Sequence, residues 1–71
     1  MKNWGHFSTE NDFYEYELMP SFEDKNKIVI GYFKSGLSTM YVVDGLHSAA
    51  EVENFDYVKK SILEQERKDG K

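Results

Sequence analysis

Cysteine is absent from this 71-residue chain. That excludes disulfides, thiolate metal sites and cysteine nucleophiles together. Proline occurs once, at Pro20, and arginine once, at Arg67, against eight lysines. Like the many Asn, Ile, Phe and Tyr, lysine has AT-rich codons, so the expectation is a gene from an AT-rich genome, such as those of some bacteria and their phages. No apolar run approaches the roughly 18 residues of a membrane span. The longest, Ile28–Phe33 and Met40–Val43, have strand length, and no membrane segment is expected. No apolar stretch follows Lys2, so the expectation is no secretory signal and a cytoplasmic protein. Gly-rich phosphate loops and the EF-hand pattern are also missing.

What the chain does have is aromatic side chains and acid. Five Tyr, five Phe and one Trp supply the large apolar areas from which a small core is built. A chain this short, without a staple, carries a margin of about 3–5 kcal/mol. Self-association would relieve that margin, so a homodimer or accessory subunit is one expectation. The net charge is −4, and the first 26 residues hold two Lys against six acids, which accounts for all of it. Such a balance disfavours binding to phosphate backbones and favours a basic partner protein.

Along the chain, residues 1–11 lack periodicity and read as an irregular N-terminal arm, pinned by Trp4 and Phe7, ahead of a single small domain over 12–69. In Asp12–Leu18, Tyr14, Tyr16 and Leu18 alternate with Phe13, Glu15 and Glu17, a half-buried strand ended by Pro20. Lys27–Lys34 and Leu37–Asp44 are rich in β-branched and aromatic residues. A two-residue turn at Ser35-Gly36 would pair them with Ile30 opposite Tyr41 and Tyr32 opposite Thr39. Both faces of that hairpin carry apolar groups, so one face suits the helix and the other the arm or a partner. Ser48-Ala49-Ala50-Glu51 is a capping box. Beyond it Val52, Phe55, Val58, Ile62 and Leu63 share one arc of a helix that Gly70 would terminate. The expected fold is α+β: a three-stranded antiparallel sheet in β-β-β-α order, packed against one C-terminal amphipathic helix. Phe55 and Ile62 are expected between helix and sheet.

The β-β-β-α order resembles that of the small sheet-plus-helix DNA-binding domains at the N-termini of some phage-type integrases. Those domains carry a basic sheet whereas this chain is acidic, so their function is not carried over.

No catalytic constellation is expected. Ser8, Asp44 and His47 have no spacing that selects them as a triad. His6, Glu10 and Asp12 supply one imidazole and two flexible acids, short of a zinc site, and no cofactor is expected. The acidic first strand carries more information. Glu15 and Glu17 lie two residues apart, about 6.6–6.8 Å by strand rise, close to the spacing of successive phosphates. They read either as the wet side of an edge strand, where charge blocks aggregation, or as a row that imitates a nucleic-acid backbone. Tyr57 falls outside the apolar arc of the helix, where an aromatic suits an interface anchor. The expected function is a non-enzymatic protein-binding module, in its sharpest form a phage-type acidic inhibitor of a host nucleic-acid-handling protein. Its expected partner-binding residues are Glu10, Asp12, Phe13, Glu15, Glu17 and Tyr57. The alternative is nucleic-acid binding through aromatic residues of the sheet with Lys25, Lys27 and Lys34.

Overall fold

Alternation along Phe13–Pro20 decides which side of the sheet is dry. In a computed structural model, which describes residues 3–36 and 38–69, Tyr14, Tyr16 and Leu18 are buried while Phe13, Glu15 and Glu17 are exposed. The fold is α+β. Among the described residues the strands are β1 (Trp4–Ser8), β2 (Phe13–Pro20), β3 (Lys27–Lys34), β4 (Tyr41–Val42) and β5 (His47–Ser48). Two helices follow, α1 (Ala49–Val52) and α2 (Phe55–Asp69). The sheet is antiparallel in the order β1-β2-β3-β4, and β5 pairs β3 at Lys27 and Ile28.

Five strands therefore replace the three expected. The added edge is Trp4–Ser8, which pairs along its whole length with β2 rather than lying irregularly. A turn over Thr9–Asp12 makes this possible. The Thr9 hydroxyl accepts from the Asn11 and Asp12 N–H groups, and the Thr9 N–H donates to the Asp12 carbonyl at 2.8 Å. Five residues of mixed polarity show too little alternation to announce a strand, yet Phe7 enters the core, stacked on Tyr14 at 4.9 Å.

The β3–β4 hairpin differs in register. Tyr32 faces Tyr41 and Gly31 faces Val42, a slip of two residues from the tight-turn pairing, and regular pairing shrinks to Tyr41–Val42. A slip of two keeps every side chain on its expected face. What it gains is ring contact: Tyr32 and Tyr41 stack at 5.6 Å, where the tight turn would set Thr39 against Tyr32. Gly36 still takes the positive φ, 74°, that the turn requires.

Ser48 caps α1 as the capping box demands: its hydroxyl accepts from the Glu51 N–H, and the Glu51 carboxylate accepts from the Ser48 N–H. The single expected helix is two. Asn54 interrupts it, its side-chain oxygen accepting from the Asp56 N–H at 2.9 Å and thereby capping a new helix. The corner moves Phe55 to the first position of α2, at the margin of the sheet. There it leans on Phe7 and Tyr16 but stays 44% exposed, not enclosed as expected. Gly70, expected to end the helix, lies outside the described residues. Val58 and Ile62 carry the packing instead, both completely buried with Ile30 and Tyr32 of β3.

Polar contacts then fix α2 on β3. The Tyr32 hydroxyl donates to Glu66 at 2.6 Å, and Lys34 pairs with the same carboxylate at 2.8 Å. Buried Gln65 accepts from the Asp44 N–H at 3.0 Å, tying the chain after β4 to the helix. Ile62→Ala is expected to cost about 2–5 kcal/mol and Phe55→Ala only about 1–2, because much of Phe55 is already wet. Urea unfolding of both variants checks the order; a larger loss at Phe55 would contradict the helix placement.

Candidate functional site

The pairing of β2 on both sides, with β1 and with β3, sorts the side chains of the sheet into two faces. Phe7, Tyr14, Tyr16, Leu18, Ile30 and Tyr32 face the helices and form the core. Among the described residues no helix lies over the other face. Glu15 and Glu17 stand at its centre, with His6 and Trp4 across from them on β1 and Phe33 and Gly31 across on β3. Around the carboxylates the face is apolar: Trp4 is 54% exposed, Phe13 42% and Val42 51%. His6 and Phe13 approach to 5.6 Å. Met19 and Met40 lie over Gly31, where an added Cβ would meet the Met19 methyl and the Met40 sulfur. Flexible thioethers thus lie beside rigid rings on this face.

Glu15 and Glu17 are thus not the wet side of an edge strand. β2 is an interior strand, and the edge belongs to β1. The other four residues expected at the site are dispersed. Phe13 shares the open face. Glu10 is exposed at the tip of the β1–β2 turn. Asp12 is half-buried, and its charge acts on Tyr14 and Lys34, which face the helix side. Tyr57 stands apart, half-buried, with its hydroxyl 2.7 Å from His47 Nδ1 and its ring edge-on to the imidazole. The acidic residues therefore make a pair on the sheet and an outlying tip, not one row.

Two features escaped the sequence. Phe22, in a connection that reads as polar, is fully exposed. The turn around it is built by Ser21, whose buried side chain accepts from the Glu23 and Asp24 N–H groups. No periodicity marks a lone aromatic in a turn. The second is a groove of about 660 Å³ between β1 and the α1–α2 corner, lined by Trp4, Gly5 and His6 of β1, Tyr16 and Leu18 of β2, and Val52, Glu53 and Phe55 of the corner. Its signal was indirect: an aromatic on the apolar arc at the start of a helix that turns out to begin at the sheet margin.

Of the three cations of the nucleic-acid alternative, Lys34 bonds Glu66 on the helix side, whereas Lys25 is exposed in the turn before β3 and Lys27 is half-buried at the start of that strand. Ser8 and His47 are separated by β2 and β3. Among the described residues no group of three or more His, Cys, Asp or Glu side chains could hold a metal ion, and no helix is long and apolar enough to cross a membrane. Comparison of the chain with protein-family models, curated proteins and solved structures returned no match.

His47 is a buried titratable group whose Nε2 has no hydrogen-bond partner among the described residues. Burial lowers its pKa from the ordinary 6.5, and the Glu51 charge opposes this in part. The folded protein therefore takes up a proton at this site less readily than the unfolded chain. Stability from this group is present above pH 6.5 and is lost as pH falls toward the folded pKa. Thermal unfolding followed from pH 7 downward is expected to show this decline, and His47→Gln to flatten it. An unchanged slope in the variant would place the proton uptake elsewhere.

Proposed function

We propose that this chain is a non-enzymatic protein-binding module whose docking surface is the helix-free face of its sheet. One observation carries the reading: two carboxylates, Glu15 and Glu17, sit at the centre of an exposed apolar face lined by Trp4, Phe13 and Val42. An apolar patch with polar groups at fixed places has the makings of a recognition surface. Its central charges select the partner. A basic protein satisfies both carboxylates while its apolar groups cover the rings; a second acidic chain does not. Nucleic acid fits poorly, because phosphates would meet two carboxylates and no lysine is paired across from them.

The sharper form of the reading is an inhibitor that occupies the basic groove of a nucleic-acid-handling protein, as a phage-encoded protein would. Glu15 and Glu17 supply two charges at phosphate-like spacing, and Glu10 at the turn tip adds a third beyond the sheet. Aromatic contact carries the rest of the affinity.

Replacing Glu15 and Glu17 by Lys is expected to abolish binding to a basic partner and to leave the fold within about 0.5 kcal/mol of wild type, since both side chains are exposed. Wild-type association is expected to weaken with salt, as screening shortens to about 8 Å near physiological strength. Partner affinity of both proteins at low and high salt, with unfolding curves alongside, is the test. Salt-independent binding that the double reversal leaves intact would move the docking surface to Phe22 or Tyr57.

A further inference from the structure

The two edges of the sheet are built differently. On one side, β4 and β5 are two-residue pieces separated by Val43–Leu46, and Gly45 there has φ 88°. Short, broken edges resist pairing with another chain. On the other side, β1 is a continuous strand of sequence Trp-Gly-His-Phe-Ser. It contains no proline and no lysine, the residues that ordinarily blunt an edge.

Hydrogen-bond parity shows which of its groups face outward. The Leu18 N–H donates to the Asn3 carbonyl, and the Thr9 N–H donates to the Asp12 carbonyl. Bonded pairs in an antiparallel ladder recur every second residue, so Gly5 and Phe7 bond to β2. The backbone groups of His6 and Ser8 consequently point away from the sheet. Directly under this edge, on the helix side, lies the groove, lined by Tyr16, Leu18, Val52, Glu53 and Phe55 together with the edge residues Trp4 and His6. Tyr16 fills the space over Gly5, where an added Cβ would lie 2.5 Å from its hydroxyl, so the glycine is what lets the phenol wall the groove.

We infer, on the docking reading above, that β1 receives an extended segment of the partner as an added strand, with Lys or Arg at alternate positions and apolar side chains between them. Strand addition places alternate side chains on opposite faces of the sheet. Those on the helix side enter the groove against Leu18 and Phe55. Those on the open side lie beside Trp4 and His6, about 10 Å from the β2 backbone, two strand spacings away. A glutamate there meets a long cationic side chain across that distance; a short side chain does not reach. Charge complementarity with Glu15 and Glu17 therefore fixes the partner's alternation. A second copy of this chain would bring Trp4, His6 and Ser8 to the open face, no long cation among them, and a further net charge of −4.

The test is amide hydrogen exchange of the full chain with three synthetic probes: a short peptide alternating lysine and valine, its glutamate–valine counterpart, and the lysine–valine peptide N-methylated at every second residue. The lysine–valine peptide at about ten times its Kd is expected to slow exchange of the His6 and Ser8 amides about tenfold, the factor that mass action sets. The other two probes are expected to leave those rates unchanged. Chemical-shift changes at Phe13, Glu15 and Val42 without protection of His6 and Ser8 would overturn strand addition while leaving the docking face in place. No response to the lysine–valine peptide would overturn both. Protection that grows with protein concentration alone would put a second copy on the edge and overturn the choice of partner.

Discussion

One long helix and a single-turn helix cover one face of the sheet. That constraint shapes the whole molecule. Four strands side by side, spaced by about 4.8 Å, set the outer strand axes ~14 Å apart, whereas a helix with its side chains is about 10–12 Å wide. The longer helix lies on β3, held by completely buried Val58 and Ile62 and by the Tyr32–Glu66–Lys34 contacts. Two consequences follow. Among the described residues the far face of the sheet has no helix over it, and β1, the strand farthest from β3 on that side, is only partly covered on the near face. The open face and the groove beneath the edge both arise from the shortage of helix.

The unusual feature is what the chain places on its uncovered face. A sheet with one wet side ordinarily carries polar residues there. Here Trp4, Phe13, Val42 and the two methionines stand on it, with Glu15 and Glu17 as the charges at its centre. On the docking reading proposed above, two carboxylates amid apolar area disfavour a second copy by like-charge repulsion and attract a cationic partner. The concentration of negative charge in the first third of the sequence thus has a structural location, although only part of it reaches the face. Glu10 and Asp12 are diverted to the turn that makes β1 possible.

Much of this was legible in the residues. The alternation of Tyr14, Tyr16 and Leu18 gave the buried side of β2, and with it the exposure of Glu15 and Glu17. The capping box at Ser48 placed the helix start. The failures share a cause, tertiary contact overriding local pattern. Trp4–Ser8 has no periodicity of its own and becomes a strand because β2 offers it a ladder. The hairpin register follows the Tyr32–Tyr41 stack rather than the tightest turn. A helical wheel assumes an unbroken helix, and Asn54 breaks it, which moves Phe55 to the margin and turns Tyr57 toward His47. The contact of Tyr57 with His47 was the least legible element, because the two lie ten residues apart and His47 sits on a two-residue strand.

The most direct measurement of the central claim is paramagnetic relaxation of the side-chain methyls by soluble nitroxides of opposite charge. On a face that is both open and acidic, a cationic probe relaxes the methyls of Val29, Met40 and Val42 more strongly than an anionic one, while Val58 and Ile62 respond to neither. Equal or reversed effects of the two probes at Val42, or shielding of these methyls as complete as that of Ile62, would contradict the account.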